Sequence, residues 1–387
     1  MTGSVRKRGA TWTAYWWVTD ADGKRVQRSK GGFKLKKDAQ SHLTTVLAAI
    51  GDGTYTEVQD KTMTVAQFLR DHWLPAARTG ATKSGAPRRA STVAQYEIAV
   101  EKWIIPHIGG VRLVALSPKQ VESALTALAA TGGKGGRPLS GRSCQLAHGV
   151  LKMALEYGVR AGYCQKNSAS LVSRPGAKSR EMACWTAGQA QAFLAAVAND
   201  ALYAAWVLFL ARGPRRGEVA GLRWADVDLE AGTLRITKTR VSIGGRVEES
   251  EPKTAAGRRT LHLDAGLVAV LRAHRKAQMQ ARMAAGPGWT ETGYVFVRED
   301  GLPPHPEHFS DRFEVLCRRA GVPVIRLHDC RHTAVSLALA DGTPVKVVQE
   351  MAGHSNPAIT QGVYAHVMPG QHEAAGARLS GLLGLSG

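Results

Sequence analysis

Residues 328 to 366 read His328-Asp329-Cys330-Arg331-His332-Thr333, then an apolar stretch of helical spacing, then Gly353-His354-Ser355, and, ten residues after His354, Tyr364-Ala365-His366. Two basic clusters followed by a lone tyrosine suit metal-free attack on a phosphodiester. The oxygens of a phosphodiester repel nucleophiles, so a protein without a metal must supply fixed positive charge where charge develops. Arginine fits that task, because its planar fork grips two non-bridging oxygens and never deprotonates. A tyrosine nucleophile must shed a proton held with a pKa of about 10, which nearby arginines would lower and a histidine would accept. Tyr364 is therefore expected to be a nucleophile toward DNA.

Working outward, Gly213-Pro214-Arg215-Arg216-Gly217-Glu218 breaks an apolar helix and starts another, placing Arg215 at a helix start. Arg331 also reads as a helix-start residue, where backbone N–H groups add positive potential. Lys253, in Glu251-Pro252-Lys253-Thr254, is a mobile cation suited to protonating a leaving 5′-oxygen. Each residue alone has an ordinary explanation: an arginine at a helix start is usually on the surface, and a lone tyrosine usually packs. A metal site is the other reading of His328, Cys330, His332 and His354, but Arg331 opposes a cation and no tight ligand pair frames them. The ordered combination carries the signal.

The whole chain supports a polyanionic partner. Its 387 residues are enough for two or three domains, and its net charge is +20 with a pI near 10.1. That charge suits nucleic acid or an anionic membrane. No run approaches the roughly 18 apolar residues of a membrane span, and the first residues lack the apolar core of a signal peptide. The expectation is a cytoplasmic, DNA-associated protein with no membrane partner. The five cysteines are widely spaced, with no Cys-x-x-Cys pair, which predicts reduced thiols and no structural zinc.

Residues 6–37 carry ten Lys or Arg against two Asp. Trp12 to Val18 alternates as a strand, Asp22-Gly23 reads as a hairpin turn, and Lys24 to Ser29 as its return strand. Lys36 to Ile50 reads as a helix with Ala39, Leu43, Val46 and Ile50 on one face. Arg6, Lys7, Arg8, Lys24, Arg25, Lys36 and Lys37 are the candidate DNA contacts, chosen on charge density. From Thr64 the pattern turns helical: Thr64 with Gln67, Thr92 with Gln95 and Ser117 with Gln120 are capping-box pairs. With a helix from Ser143 to Tyr157 they predict a four-helix domain. Ser168 to Arg180 reads as a linker. Thr186 and Gln189 cap the next helix. Strands are expected at 233–237, 259–263 and 294–297, and helices at 203–210, 219–224, 267–283 and around 309–317. Thr343-Pro344 and Asn356-Pro357 read as helix starts.

These motifs, in this order and at these spacings, closely resemble the tyrosine recombinases, specifically phage-type integrases with an N-terminal arm-binding domain. The pieces are Gly213–Glu218, Pro252-Lys253-Thr254, His328–Thr333, Gly353-His354-Ser355 and Tyr364-Ala365-His366-Val367. The resemblance is strongest over 186–368 and weaker over the rest. It implies an α+β, multidomain fold: an arm-type DNA-binding domain at 1–58 built as a small sheet plus helix; a helical, SAM-like core-binding domain at 62–167; a linker at 168–184; and a mixed, mainly α catalytic domain with a small antiparallel sheet and a C-terminal tail at 185–387. It implies that Arg215 and Arg331 clamp the scissile phosphate, Lys253 is the general acid, His328 assists proton transfer, His354 hydrogen-bonds a non-bridging oxygen and Tyr364 forms a 3′-phosphotyrosyl link. Glu218 looks like an acidic residue that braces the site. No cofactor is implied. The partners implied are double-stranded DNA at core-type and arm-type sites, three further copies in a homotetramer on DNA, a host DNA-bending protein and an excision factor. The leucines after Tyr364 (Leu379, Leu382, Leu383, Leu385) resemble a tail that docks on a neighbouring protomer.

The chain departs from the family pattern at Cys330 and Ala352, each in place of Leu, at Arg212-Gly213 in place of Thr-Gly, and at Gly362 in place of Asp. None removes a catalytic group. Cys330 is expected to add oxidation sensitivity, and Gly362 to loosen the segment bearing Tyr364. Two rival readings share parts of this pattern. A type IB topoisomerase uses a very similar residue set, and a basic sheet domain argues against it. A non-enzymatic DNA-binding protein needs no such ordered set.

Overall fold

The computed structural model describes residues 3–19, 25–52, 61–80, 87–177, 183–252, 257–353 and 380. The chain forms two compact units, Met1–Lys178 and Ser179–Gly387. Elements of both types are present in each, so the fold is mixed α+β as expected.

The first unit opens with an antiparallel sheet of β1 (Ser4–Arg8), β2 (Thr11–Thr19) and β3 (Arg25–Phe33), in that order, followed by α1 (Lys36–Gly51). Alternation along β2 turns Ala14 and Trp16 inward against Leu43 of α1. β1 is an addition to the two expected strands; its run of charged residues gives no apolar alternation from which to predict it. The Asp22-Gly23 turn lies outside the described residues.

The helical part begins with α2 (Val65–Gln67), which continues through a π-helical stretch, Phe68–Trp73, into α3 (Leu74–Thr79). Next, α4 (Ala90–Ile98) passes through a second π-helical stretch into α5 (Ile105–Ile108), followed by α6 (Pro118–Thr131) and α7 (Gly141–Arg160). Phe68, Leu69, Val100, Val121, Val150 and Leu155 are among its fully enclosed side chains. The capping boxes at Thr64 and Ser117 form as predicted, with Gln67 and Gln120 reaching back to the cap N–H groups. The pair at Thr92 and Gln95 does not: Arg89, in extended conformation, is the cap, and Thr92 lies inside the first turn. The expected linker is bound into the helical core at its start, where buried Ser168 donates to the Leu116 carbonyl at 2.5 Å.

The second unit runs α8 (Ala187–Ala196), α9 (Tyr203–Arg212), α10 (Arg216–Ala220), β4 (Val227–Asp228), β5 (Thr233–Arg235), β6 (Thr239–Ile243), β7 (Arg246–Ser250), β8 (Thr260–His262), α11 (Ala265–Ala285), α12 (Pro306–Arg319), α13 (Asp329–Ala340) and α14 (Val345–Ala352). β4, β5 and β8 make one antiparallel sheet, and β6 and β7 a separate hairpin. An aromatic cluster of Trp185, Phe193, Trp206, Phe209, Phe309 and Phe313 forms its centre, with neighbouring rings 5.1–6.3 Å apart. A small second core joins Val335 and Leu339 of α13 to Val348 and Ala352 of α14.

The polar, Gly-rich segment between β5 and β8 holds the β6–β7 hairpin, whose Gly244-Gly245 turn supplies the positive φ angles a tight hairpin needs. Two expectations here are corrected. Tyr294 to Val297 is not a strand: Tyr294 makes only an isolated bridge to Arg223, and burial of Val295 and Phe296 holds the segment instead. The helix expected over 219–224 is the shorter α10, followed by a 3-10 turn at Trp224–Asp226. Of the five cysteines, Cys144, Cys164, Cys317 and Cys330 are buried and Cys184 is exposed. Among the described residues no helix is long and apolar enough to cross a membrane.

Candidate active site

The site begins where α9 ends. Gly213 takes φ +60°, a left-handed cap that favours glycine, and a Cβ there would sit 3.2 Å from Cγ of Arg331. The chain thus turns tightly against α13 and enters α10 with Arg215 at its N-cap. Glu218, three residues on, is 1 % exposed. Its carboxylate accepts from the Arg215 backbone N–H and from its guanidinium, each at 2.8 Å. From the other side Arg259 grips both carboxylate oxygens, at 3.1 and 2.9 Å. Burial alone would raise the pKa of Glu218, but Arg259, and then Arg215, outweigh it and hold the group below its usual value.

Arg331 lies in the first turn of α13, 3 % exposed. It donates to the Gly213 carbonyl at 2.9 Å and to the Ala352 carbonyl. Ala352 ends α14, and the last carbonyls of a helix have no intrahelical partner and carry partial negative charge. Three arginines take them up. Arg259 Nε donates to Met351 O at 2.9 Å, Arg331 to Ala352 O, and Arg215 to Gly353 O at 3.4 Å. Gly353, at φ +62°, caps the helix in the left-handed region. Two predicted arginines, distant in sequence, therefore meet at one helix end, one residue before His354.

His328 caps α13, and its ring packs edge-on against His332 with centroids 5.2 Å apart. Burial, then the charges of His332 and Arg331, push its pKa down to about 4. More than a third of the residue still meets solvent, which screens those charges, and the ring is neutral at neutral pH. Asp329 is held by its own neighbour Arg326, whose backbone N–H and guanidinium donate to it at 2.6–3.2 Å. Cys330 points into the core, fully buried, and burial drives its thiol well above the ordinary value. A thiol so placed forms little thiolate, which argues against the oxidation sensitivity expected there. Among the described residues no three His, Cys, Asp or Glu side chains are arranged to hold a metal ion.

Arg215, Glu218, His328 and Arg331 thus come together, and Arg215 and His328 border an open cleft of about 640 Å³ with Gly217, Val241 and Arg326. A larger groove of about 970 Å³, between α11 and residues 225–235, holds none of the predicted set. Converging charge, rather than volume, marks the candidate site. Lys253, His354 and Tyr364 lie outside the described residues, as does the tail after Tyr364 apart from Ser380. On the first unit, Arg6, Lys7 and Arg8 line β1, Arg25 begins β3, and Lys36 and Lys37 open α1, all exposed. Lys24 is outside the described residues. Arg6 lies over the Tyr15 ring at 5.5 Å, Arg25 over Trp17 at 5.9 Å and Lys36 over Trp12 at 5.5 Å.

Sequence reasoning missed Arg259. A signal was present: Arg259, Leu261 and Leu263 alternate, so a charge shares the inward face of a strand, and such a charge needs a buried partner.

Comparison with known proteins bears on the whole chain. Residues 185–370 match the phage integrase family and residues 4–50 an arm DNA-binding domain. An integrase of Streptomyces ambofaciens is 31 % identical over 353 residues, 89 % of this chain and 86 % of the relative. A tyrosine recombinase XerC-like protein of Caldanaerobacter subterraneus is 27 % identical over 371 residues, 91 % of each. In structure, the Tn1549 transposon integrase in complex with transposon right end DNA aligns with a TM-score of 0.65 at 20 % identity, covering 82 % of this chain and all of that one. A lambda integrase in a tetramer bound to a Holliday junction aligns at 0.55 and 15 % identity, covering 93 % and 94 %. At those identities the structural likenesses speak for the fold. Taken with the sequence shared along most of its length, they leave one conclusion: this chain belongs to the phage integrase family of tyrosine recombinases and is a site-specific DNA recombinase.

Proposed function

We propose that this recombinase is an integrase that cuts and rejoins DNA at attachment sites, inserting a phage or other mobile element into a host chromosome. The observation that supports this best is the meeting of Arg215 and Arg331 at the end of α14, immediately before His354. In this reading both guanidiniums exchange carbonyl partners for the non-bridging oxygens of the scissile phosphate. The Tyr364 hydroxyl oxygen attacks phosphorus, and its proton passes to neutral His328. The bond from phosphorus to the 5′-oxygen breaks, and Lys253 supplies the proton that oxygen needs. His354 hydrogen-bonds the phosphate, and Glu218 braces Arg215. The 3′-phosphotyrosyl link conserves the bond, so a partner strand's 5′-hydroxyl reverses the step without ATP, metal or other cofactor.

The same reading assigns residues 1–58 to arm-type sites, 62–167 to core-type sites, 168–184 to a linker and 185–387 to catalysis and a docking tail. It places four copies on two duplexes, in the cytoplasm of a bacterial host, with a host bending protein and an excision factor as accessory partners. The test uses the full chain and a pool of nicked duplexes of randomised sequence, in which cleavage releases a short strand and traps the adduct. Wild type should yield an SDS-resistant adduct linked at Tyr364 and insensitive to chelator. Tyr364→Phe should bind the recovered duplex without linking to it. A full adduct from Tyr364→Phe, or its loss on chelation, would overturn the mechanism.

A further inference from the structure

Arg259 sits just before β8, and its backbone is fixed there by the Ile236 N–H, which donates to the Arg259 carbonyl at 2.9 Å. Its side chain is 7 % exposed. The guanidinium uses two edges for two different tasks. One edge forks both oxygens of Glu218; the Nε holds Met351 O at the end of α14, and one terminal nitrogen also reaches Gly257 O at 3.4 Å. A lysine, with three donors on one nitrogen, cannot span both. Glu218 in turn offers its oxygens to Arg215, whose side chain is 42 % exposed and has no comparable packing of its own.

Building on the strand-transfer reading above, we infer that Arg259 is a positioning residue: through the Glu218 carboxylate it fixes Arg215, and through the Met351 carbonyl it fixes the helix end from which His354 and Tyr364 follow. It acts on the phosphate only through these groups. Its loss lets Arg215 and the end of α14 shift independently, and small displacements of reacting groups are costly in rate. A second consequence is electrostatic. Among the described residues, the charged groups acting on Glu218 are Arg259 and Arg215. Without Arg259 the buried carboxylate keeps one half-exposed cation, and its proton affinity rises. Protonated Glu218 no longer holds the Arg215 guanidinium as a charge pair, so the site becomes acid-sensitive.

The experiment uses the full chain, the duplex that wild type recovers from the randomised pool, and the variants Arg259→Gln, Arg259→Lys and Arg259→Gln/Glu218→Gln. Adduct formation at saturating DNA is followed from about pH 8.5 to about pH 5.5, the span in which a buried carboxylate relieved of a cation titrates. DNA affinity is measured alongside. Arg259→Gln should lose about 10²-fold in rate with affinity unchanged, and the loss should deepen as pH falls. Arg259→Lys should keep the wild-type pH profile at a reduced rate. The double variant, which leaves no lone buried carboxylate, should lose the added acid sensitivity. A wild-type rate in Arg259→Gln, or the same loss at every pH, overturns the inference. Should Arg259→Gln fail to fold by tryptophan fluorescence, Arg259→Lys decides, and a wild-type rate there overturns it. Absence of any wild-type adduct would sink the strand-transfer reading together with this role; a wild-type adduct with an unaltered Arg259→Gln sinks this role alone.

Discussion

The N-terminal sheet and the second unit use the same residue types in opposite ways. On the sheet and at the start of α1, arginine and lysine lie over aromatic rings at the surface, around a core whose buried members are Ala14, Trp16 and Leu43. In the second unit, Arg331, Glu218 and Asp329 are buried beside a large aromatic core and are tied to carbonyls or to opposite charges. A surface cation over a ring adds little to folding and is free to meet a phosphate. A buried cation is costly unless paired, and once paired it is held where it can act without reorganising. The first region leaves its charge exposed at the surface, and the second holds charge in place.

The contrast predicts a descending series of effects. Phe313, 1 % exposed among Trp185, Phe193 and Trp206, supports the whole second unit. Phe313→Ala should cost about 4 kcal/mol, seen as a lowered melting transition of that unit. Glu218→Gln leaves Arg259 buried without its counter-ion and should cost about 3 kcal/mol in denaturant titrations. The same variant tests the pH behaviour. The folded-state pKa of Glu218 lies below its ordinary value, so its contribution is complete above the unfolded carboxylate pKa and is lost as pH falls through the folded one. Glu218→Gln should therefore unfold with a flatter acid dependence than wild type; an identical acid limb would show that other carboxylates set it. The smallest effect on folding belongs to Lys36, which opens α1 beside the sheet. Lys36→Ala should leave the melting curve unchanged, yet lower the salt dependence of DNA binding by about 0.9 in logarithmic slope for the lost phosphate contact. An unaltered slope would remove Lys36 from the DNA-binding face.

Much of this contrast was legible in the chain because it is written locally. Thr64 with Gln67 and Ser117 with Gln120 announce helix starts, and the alternation around Trp16 announces a strand. The order of the Gly213–Glu218 and His328–His332 motifs announces the recombinase family. What stayed hidden depends on long-range contact. The sheet gained β1 because a partner strand, rather than its own pattern, orders it. Arg259 looked like one more basic residue beside Arg258; its meaning comes from Glu218 and from Met351, 41 and 92 residues away in sequence. The Tyr294 segment showed the opposite failure: its β-forming residues suit burial as well as pairing, and burial decided the outcome.

The cysteine distribution has a practical consequence. Burial raises the thiols of Cys164 and Cys317 to about 11 and about 12, and that of Cys330 further, while Cys184 is exposed. Maleimide dyes require thiolate and access, so the unmutated chain should take a single fluorophore at Cys184. That residue directly precedes buried Trp185, at the point where the chain enters the second unit. Energy transfer from a dye there to one on a duplex end would track how the recombinase settles on DNA, with every proposed catalytic side chain left intact.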